Sequence, residues 1–264
     1  MRHDSGNQKR RERAARKIER AQNASASVLS LVDRALKRTI DVAFAATLLV
    51  LASPAIAVLA LAIKLDSPGP VFYRCLRVGR GGRVLHMLKF RKMRDDASGP
   101  ALTAPDDARF TRLGQFLART KLDELPQLWN VLTGEMSLVG PRPEDPAFVE
   151  LNQNAYSMIL EVRPGITGLS QLAFASESDV LDPDDRLGHY VGRILPQKIG
   201  MDQLYASRRS LGMDLKILWW TLRAVVGGRD VAVHRETGRL TRRAPRAIEL
   251  PERRSALVLE RRAS

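Results

Sequence analysis

Between Val42 and Ile63 the chain carries no charged residue, and no other feature of the sequence constrains the fold as strongly. As a helix rising about 1.5 Å per residue, this run extends roughly 33 Å, enough to cross the hydrocarbon core of a bilayer. A buried core helix fits the same length, but so long an uncharged run favours membrane insertion. Ser53-Pro54 lies in its middle. Proline lacks a backbone donor and its ring crowds the preceding turn, so a bend is expected there. The Ser53 hydroxyl can bond back to the freed carbonyls. Lys37 and Arg38 precede the run, and Lys64, Arg74, Arg77 and Arg80 follow it. Basic flanks on both sides conflict with a simple span, because only the cytoplasmic side is rich in Lys and Arg. Two arms of about 11 residues are each about 17 Å long, too short to cross alone. The expectation is a re-entrant helix–break–helix, broken at Ser53 and Pro54, that dips into the membrane and returns to the cytoplasmic face.

This wedge divides the chain into four segments. Residues 1–33 form a basic N-terminal arm, which reads either as a helix on anionic lipid or as a solvated tail. No apolar core of a secretory leader follows the basic residues. Residues 34–66 hold the re-entrant helix. Residues 67–228 form the body, and residues 229–264 an Arg-rich C-terminal tail. In the body, β-prone runs at Val71 to Arg77 and Arg83 to Phe90 flank a glycine-rich stretch, which predicts a hairpin. Asp95 to Ala108 reads as a long loop. Helical spacing follows from Phe110 to Leu132, with a boundary expected near Leu122 to Leu125 because Pro126 belongs in a first turn. Met213 to Val226 is amphipathic, and its paired Trp219 and Trp220 suit a membrane–water interface as well as a core. The fold class expected is α+β, mainly helical, in a monotopic membrane protein with interfacial amphipathic helices.

The net charge of +14 calls for an anionic partner: nucleic acid, anionic lipid or a phosphorylated substrate. No helix-turn-helix, zinc or RNA-recognition pattern is present and aromatics make up only 5%, which argues against nucleic acid. The single cysteine, Cys75, permits no intrachain disulfide and reads as a packing residue.

Four clusters in the body carry chemistry: His86 to Met93, Leu122 to Leu132, Gly134 to Pro143 and Val162 to Gln171. Each alone has a bland reading. Paired carboxylates at a helix start complement the dipole, and Pro-Arg-Pro or Arg-Pro-Gly make rigid turns. Together they supply what phosphoryl transfer needs. A carboxylate can act as nucleophile and split one hard step into two. Carboxylates hold Mg²⁺, and arginines fixed by prolines offer bidentate forks for phosphate.

Several motifs occur in order: Lys37-Arg38 with Asp41, the Ser53-Pro54 break, Lys89-Phe90-Arg91-Lys92-Met93, Leu122-Asp123-Glu124-Leu125-Pro126-Gln127, Ser137 to Pro143 and Val162 to Gly168. In this the chain resembles the bacterial sugar transferase family, the small monotopic phosphoglycosyl transferases, over roughly Arg34 to Gly228. The resemblance implies transfer of a sugar 1-phosphate from a UDP-sugar to undecaprenyl phosphate at the cytoplasmic face of the bacterial inner membrane, releasing UMP. That reaction initiates exopolysaccharide or other glycoconjugate assembly. Asp123 matches the family's nucleophile and its likewise implied contact with Mg²⁺, and Glu124 assists. Lys89 neutralises phosphate charge. Arg142 and Arg163 bind the diphosphate or the acceptor phosphate, with Pro141 and Pro143 shaping that loop. Two departures stand out. Many relatives carry paired arginines before the Asp-Glu dyad, whereas this chain has Ala118-Arg119, leaving Arg119 to serve alone. Lys92 stands where relatives often have threonine. The partners implied are the UDP-sugar, undecaprenyl phosphate and membrane lipid, with no nucleic acid and with room for a homo-oligomer. A non-catalytic membrane scaffold, a nucleic-acid-binding protein and a glycosyltransferase releasing UDP are the rival readings.

Overall fold

In the computed structural model, residues 4–99, 102–104, 107–175, 181–182, 184–227 and 231–242 are described, with residues 4–31 described by their backbone alone. The chain is mainly helical with three small two-stranded sheets among these residues. A single helix, α1, runs from Asp4 to Asp66 and contains Pro54. It is one helical element rather than the two expected from the Ser53-Pro54 break. The reason is local. Ser53 Oγ donates to the Val50 carbonyl at 2.8 Å, the acceptor four residues before Pro54 that the proline cannot satisfy.

The apolar part of α1 has two faces. Asp41, Ala45 and Leu49 lie against the main core, while Ile56, Leu59 and Ile63 pack with Phe90, Leu117 and Leu113. The other face exposes Phe44, Val50, Leu51, Val58, Leu61 and Leu65. Both ends of the uncharged run therefore rest on one body. Lys37 and Arg38 strengthen the first end. Lys37 Nζ pairs with Asp214 at 2.7 Å, and Arg38 donates to the carbonyls of Val131 and Leu132 at 2.7 and 3.0 Å. At the other end, buried Arg91 donates to the carbonyls of Ser67, Pro68 and Pro70, holding the chain as it leaves α1.

The glycine-rich hairpin forms as the sequence predicts. Strands β1 (Phe72–Val78) and β2 (Val84–Phe90) are antiparallel, with Val78 opposite Val84 and Phe72 opposite Phe90. Gly81 and Gly82 have φ of 69° and 74°, which only the turn residues of such a hairpin must tolerate. After the loop come α2 (Arg112–Thr120), a 3-10 turn (Leu122–Glu124) and α3 (Gln127–Thr133), with Pro126 capping α3 as anticipated. Strand β3 (Ser137–Val139) pairs in parallel with β4 (Gly165–Thr167); the short helices α4 (Pro146–Leu151) and α5 (Gln153–Ile159) lie between them. Then follow α6 (Leu169–Ala173), α7 (Arg186–His189), a π-turn (Tyr190–Ile194), α8 (Leu195–Arg208) and α9 (Leu211–Gly227).

Helix α9 separates its two tryptophans. Trp220 packs on the core, whereas Trp219 is 63% exposed and continues an outward stripe with Leu215, Leu222 and Val226. The first part of the Arg-rich C-terminal segment departs from a plain tail. Strands β5 (Val231–Val233) and β6 (Leu240–Arg242) form a hairpin whose Val231 is buried in the core beside Leu169. Residues 243–264, with Arg253-Arg254 and Arg261-Arg262, lie outside the described residues.

Candidate active site

Helix α2 ends where Lys121 adopts φ 62°, the one non-glycine residue with positive φ among those described. This left-handed cap turns the chain sharply, at some steric cost, into the 3-10 turn. The turn carries Asp123 inward, to 1% exposure. Its apolar neighbours Leu122 and Leu125 pack against the cluster of Ile63 of α1, Phe90 and Leu117. The dyad is thereby held on the same apolar cluster that receives the end of the uncharged run.

Cations converge on the two carboxylates. Lys92 Nζ lies 3.3 Å from Asp123 Oδ2. Lys89 Nζ donates to Glu124 Oε1 at 2.9 Å, and Arg142 Nη2 reaches the same oxygen at 3.4 Å. Burial works to raise the Glu124 carboxyl, but Lys89, Arg142 and Lys121 outweigh it and hold that carboxyl well below the usual carboxylate range. Four cations thus surround two carboxylates, a field suited to a more highly charged anion.

Each cation is positioned by a specific local device. Buried Asn130 fills the open edge of β2: its Oδ1 accepts from Leu88 N–H at 2.9 Å and its Nδ2 donates to His86 O at 3.0 Å. That locks α3 to the strand bearing Lys89. Thr111 N–H donates to the Lys92 carbonyl at 3.1 Å, and Gly114 leaves the space that this carbonyl occupies. Arg142 rides on a loop packed backbone to backbone against β4. Gly140 N–H donates to Thr167 O at 2.9 Å and Gly165 N–H to Pro141 O at 2.8 Å. A side chain at Gly140 or Gly165 would run into that facing backbone, which explains the glycines of both motifs.

Behind the loop lies a buried polar network. Tyr190 Oη donates to Glu144 Oε2 at 2.9 Å, Lys198 Nζ to Tyr190 Oη at 2.9 Å, and Ser170 Oγ to Asp202 Oδ1 at 2.7 Å. The Arg142 backbone also bonds to Asp202. Burial pushes the Asp202 carboxyl up to about 7, with Ser170 and Lys198 opposing the shift. Burial likewise works to raise Glu144, but Lys198 and the bonds from Asp145 and Tyr190 outweigh it and lower its carboxyl.

Two buried side-chain atoms among those described have no hydrogen-bond partner: Asp123 Oδ1 and Gln127 Nε2. They sit one helical turn apart in sequence, one an acceptor and one a donor. Leaving a buried polar atom unpaired costs about 1–3 kcal/mol, so an unpartnered carboxylate oxygen in a ring of cations marks a site suited to a ligand.

The residues singled out from the sequence do not all meet here. Asp123, Glu124, Lys89 and Arg142 converge, and Pro141 and Pro143 are buried in the Arg142 loop. Arg119 is exposed in the last turn of α2. Arg163 is directed elsewhere: its Nε donates to Gly134 O at 3.0 Å, and its charged neighbours are Arg80, Arg38 and Asp41. Ser53 and Pro54 lie in α1. Sequence reasoning did not foresee Gln127 or Asn130 as working residues, although both sit in the Leu122 to Leu132 cluster. Lys92, read as a departure, is the cation on Asp123. For the implied Mg²⁺, no cluster of three His, Cys, Asp or Glu side chains exists among the described residues. Mg²⁺ commonly takes one or two carboxylates with phosphate oxygens and water, and the unpartnered Asp123 Oδ1 fits that donor set.

The fold and site define a carboxylate centre surrounded by cations beside a helix long and apolar enough to cross a membrane, as comparison with known sequences bears out for the family. The chain belongs to the bacterial sugar transferase family, whose model matches residues 32–228. It is 39% identical over 200 residues to the UDP-glucose:undecaprenyl-phosphate glucose-1-phosphate transferase of Escherichia coli K12, covering 74% of this chain and 41% of that protein. It is 49% identical over 122 residues to a putative undecaprenyl-phosphate N-acetylgalactosaminyl 1-phosphate transferase of Bacillus subtilis, covering 46% of this chain and 68% of the relative. With the exopolysaccharide production protein PSS of Rhizobium leguminosarum it shares 37% identity over 205 residues, covering 72% of this chain and 95% of the relative. The chain spans about two fifths of the E. coli relative's length.

Proposed function

We propose that this chain is a phosphoglycosyl transferase that moves a sugar 1-phosphate from a UDP-sugar to undecaprenyl phosphate and releases UMP. The observation that carries the reading is Asp123: a buried carboxylate with one oxygen on Lys92 and the other unpartnered. An Asp123 oxygen attacks the β-phosphorus of the UDP-sugar, the bond from that phosphorus to the bridging oxygen breaks, and UMP leaves with the oxygen. An oxygen of undecaprenyl phosphate then attacks the aspartyl phosphate. The acyl-phosphate bond breaks, and Asp123 returns as a carboxylate with the lipid now carrying a diphosphosugar.

Lys92 and Lys89 balance the charge of the transferring phosphoryl group, and Arg142, close enough to contact Glu124, orients the diphosphate. Glu124, held ionised by Lys89 and Arg142, positions these cations. Gln127 Nε2 supplies a donor for a phosphate or sugar oxygen. Mg²⁺ is the proposed metal; Asp123 would hold it, and it would neutralise diphosphate charge. Arg163, which bonds to Gly134, acts from outside this cluster.

The chain is proposed to be monotopic at the cytoplasmic face of the bacterial inner membrane. Supporting this, both ends of the uncharged run dock on the same body while its outer face, with Trp219 of α9, presents apolar side chains. A straight span would place the Asp41–Ser137 and Asp66–Leu113 bonds on opposite sides of the bilayer. Labelling that found Asp41 and Asp66 on opposite faces would overturn the arrangement. The activity is tested by screening UDP-glucose, UDP-galactose and N-acetylated UDP-amino sugars with undecaprenyl phosphate. UMP release with at least one donor is expected; UDP release, or no turnover with any donor, defeats the proposal.

A further inference from the structure

The tip of the β1–β2 hairpin borders a second charged feature. An open cleft of about 480 Å³ is lined by Arg34 of α1, Arg80 and Gly81 of the hairpin, Ser157 of α5, Glu161 and Arg209. It is distinct from the Asp123 centre. Lys89 lies five residues along β2 from Val84 at the tip end, roughly 17 Å away at strand spacing.

Three elements far apart in sequence bring three guanidiniums to this cleft. Arg80 is held by a bond from its Nε to Glu161 O at 3.0 Å, and Gly81 N–H donates to Leu160 O at 2.8 Å, so the hairpin tip is fixed on the end of α5. The only carboxylate in the lining, Glu161, makes no ion pair with any of the three arginines. Arg163 and Arg38 stand close behind. Burial, then repulsion from Arg80 and Arg38, works against the charge on Arg163. Three like charges with a single carboxylate beside them carry a net positive charge, which becomes favourable when an anion sits among them. The fork geometry of guanidinium, and a cleft of small-ligand size, suit phosphate.

The location narrows the source of that phosphate. Arg34 lies eight residues before Val42, about 12 Å along α1 from the start of the uncharged run. With that run in the hydrocarbon, an oblique α1 sets the cleft near the headgroup layer. We propose that the Arg34–Arg80–Arg209 cleft is a second anion site that binds the phosphate of an anionic lipid headgroup or of a soluble phosphate compound, separate from the Asp123 centre.

The test uses the full chain in non-ionic detergent, titrated calorimetrically with short-chain phosphatidylglycerol, short-chain phosphatidylcholine and inorganic phosphate. The wild type is expected to bind phosphatidylglycerol more tightly than phosphatidylcholine. The Arg80→Ala/Arg209→Ala double variant should bind on the order of thirtyfold more weakly, because each basic residue near a lipid surface contributes about a fivefold effect. Ser157→Glu keeps every arginine, places a carboxylate in the cleft and should weaken binding similarly. Phosphatidylglycerol binding that inorganic phosphate does not displace supports a lipid headgroup; displacement, or binding of phosphate alone, supports a soluble anion. Equal binding by the wild type and both variants, or no binding by the wild type, overturns the proposal.

Discussion

Replacing Asp41 by alanine tests how the uncharged helix is held to the body. Asp41 is 4% exposed, and its carboxylate accepts from Ser137 Oγ at 2.7 Å and from Leu138 N–H at 3.3 Å, with Lys37 Nζ at 3.8 Å. Alanine removes one charge-assisted bond, worth about 1.5–3 kcal/mol, and strands the Leu138 donor at a further cost of about 1–3 kcal/mol. The loss stops there because the single Ser137 hydroxyl proton can turn to Val139 O, 3.0 Å away, and Lys37 keeps Asp214. The expected destabilisation is about 3–4 kcal/mol, which for a domain of this size lowers Tm by roughly 10 °C. Ser137→Ala removes the same charge-assisted bond but leaves Asp41 with Leu138 and Lys37, so it should cost about 1.5–3 kcal/mol, less than Asp41→Ala. Thermal unfolding of wild type, both single variants and the double variant in detergent gives the pair's coupling, expected near 1 kcal/mol or more. An Asp41→Ala protein that melts within about 2 °C of wild type would refute this account of the docking.

Other outcomes follow from the same contacts. Lys92→Ala should leave Asp123 without its cation and lower kcat on the order of a hundredfold; unchanged kinetics would remove Lys92 from the chemistry. The Asp202 carboxyl, raised to about 7 by burial, stays protonated in the folded chain over a range where the unfolded chain is ionised. Stability therefore falls as pH rises from about 4 towards 7 and then levels off, by up to about 4 kcal/mol for this group. Asp202→Asn should flatten that slope in a pH series of unfolding curves, and an unchanged slope would exclude the group as its source. Val58, 67% exposed on the outer face of α1, should tolerate lysine in detergent. In cells Val58→Lys should reduce recovery in the membrane fraction, since a lysine near the centre of an inserted helix costs about 2.5–3.5 kcal/mol. Undiminished membrane recovery would place that face outside the lipid.

What the sequence revealed was mostly local. The hairpin was legible because β-prone runs flank a stretch in which Gly81 and Gly82 can take positive φ. The α2–α3 boundary was legible because Pro126 cannot donate within a helix. The Ser53 bond to Val50 was also foreseeable, though its consequence, one continuous helix, was not. Contacts between distant positions left no local trace. Lys37 meets Asp214 across 177 positions, and Asp41 meets Ser137 across 96. Lys92 on Asp123 and Arg163 on Gly134 depend on where α2 and β4 dock, which periodicity does not encode. The β5–β6 hairpin escaped notice because each strand has only three residues, too short for an alternating pattern.

The most direct test of the central claim is covalent trapping at Asp123. The protein is mixed with a UDP-sugar radiolabelled in the β-phosphate, without undecaprenyl phosphate, and quenched in acid. The account predicts labelled protein with the label on the peptide containing Asp123, chased off by added acceptor, and no label on Asp123→Asn. Label retained by Asp123→Asn, or UMP release by the wild type that never produces labelled protein, would contradict it.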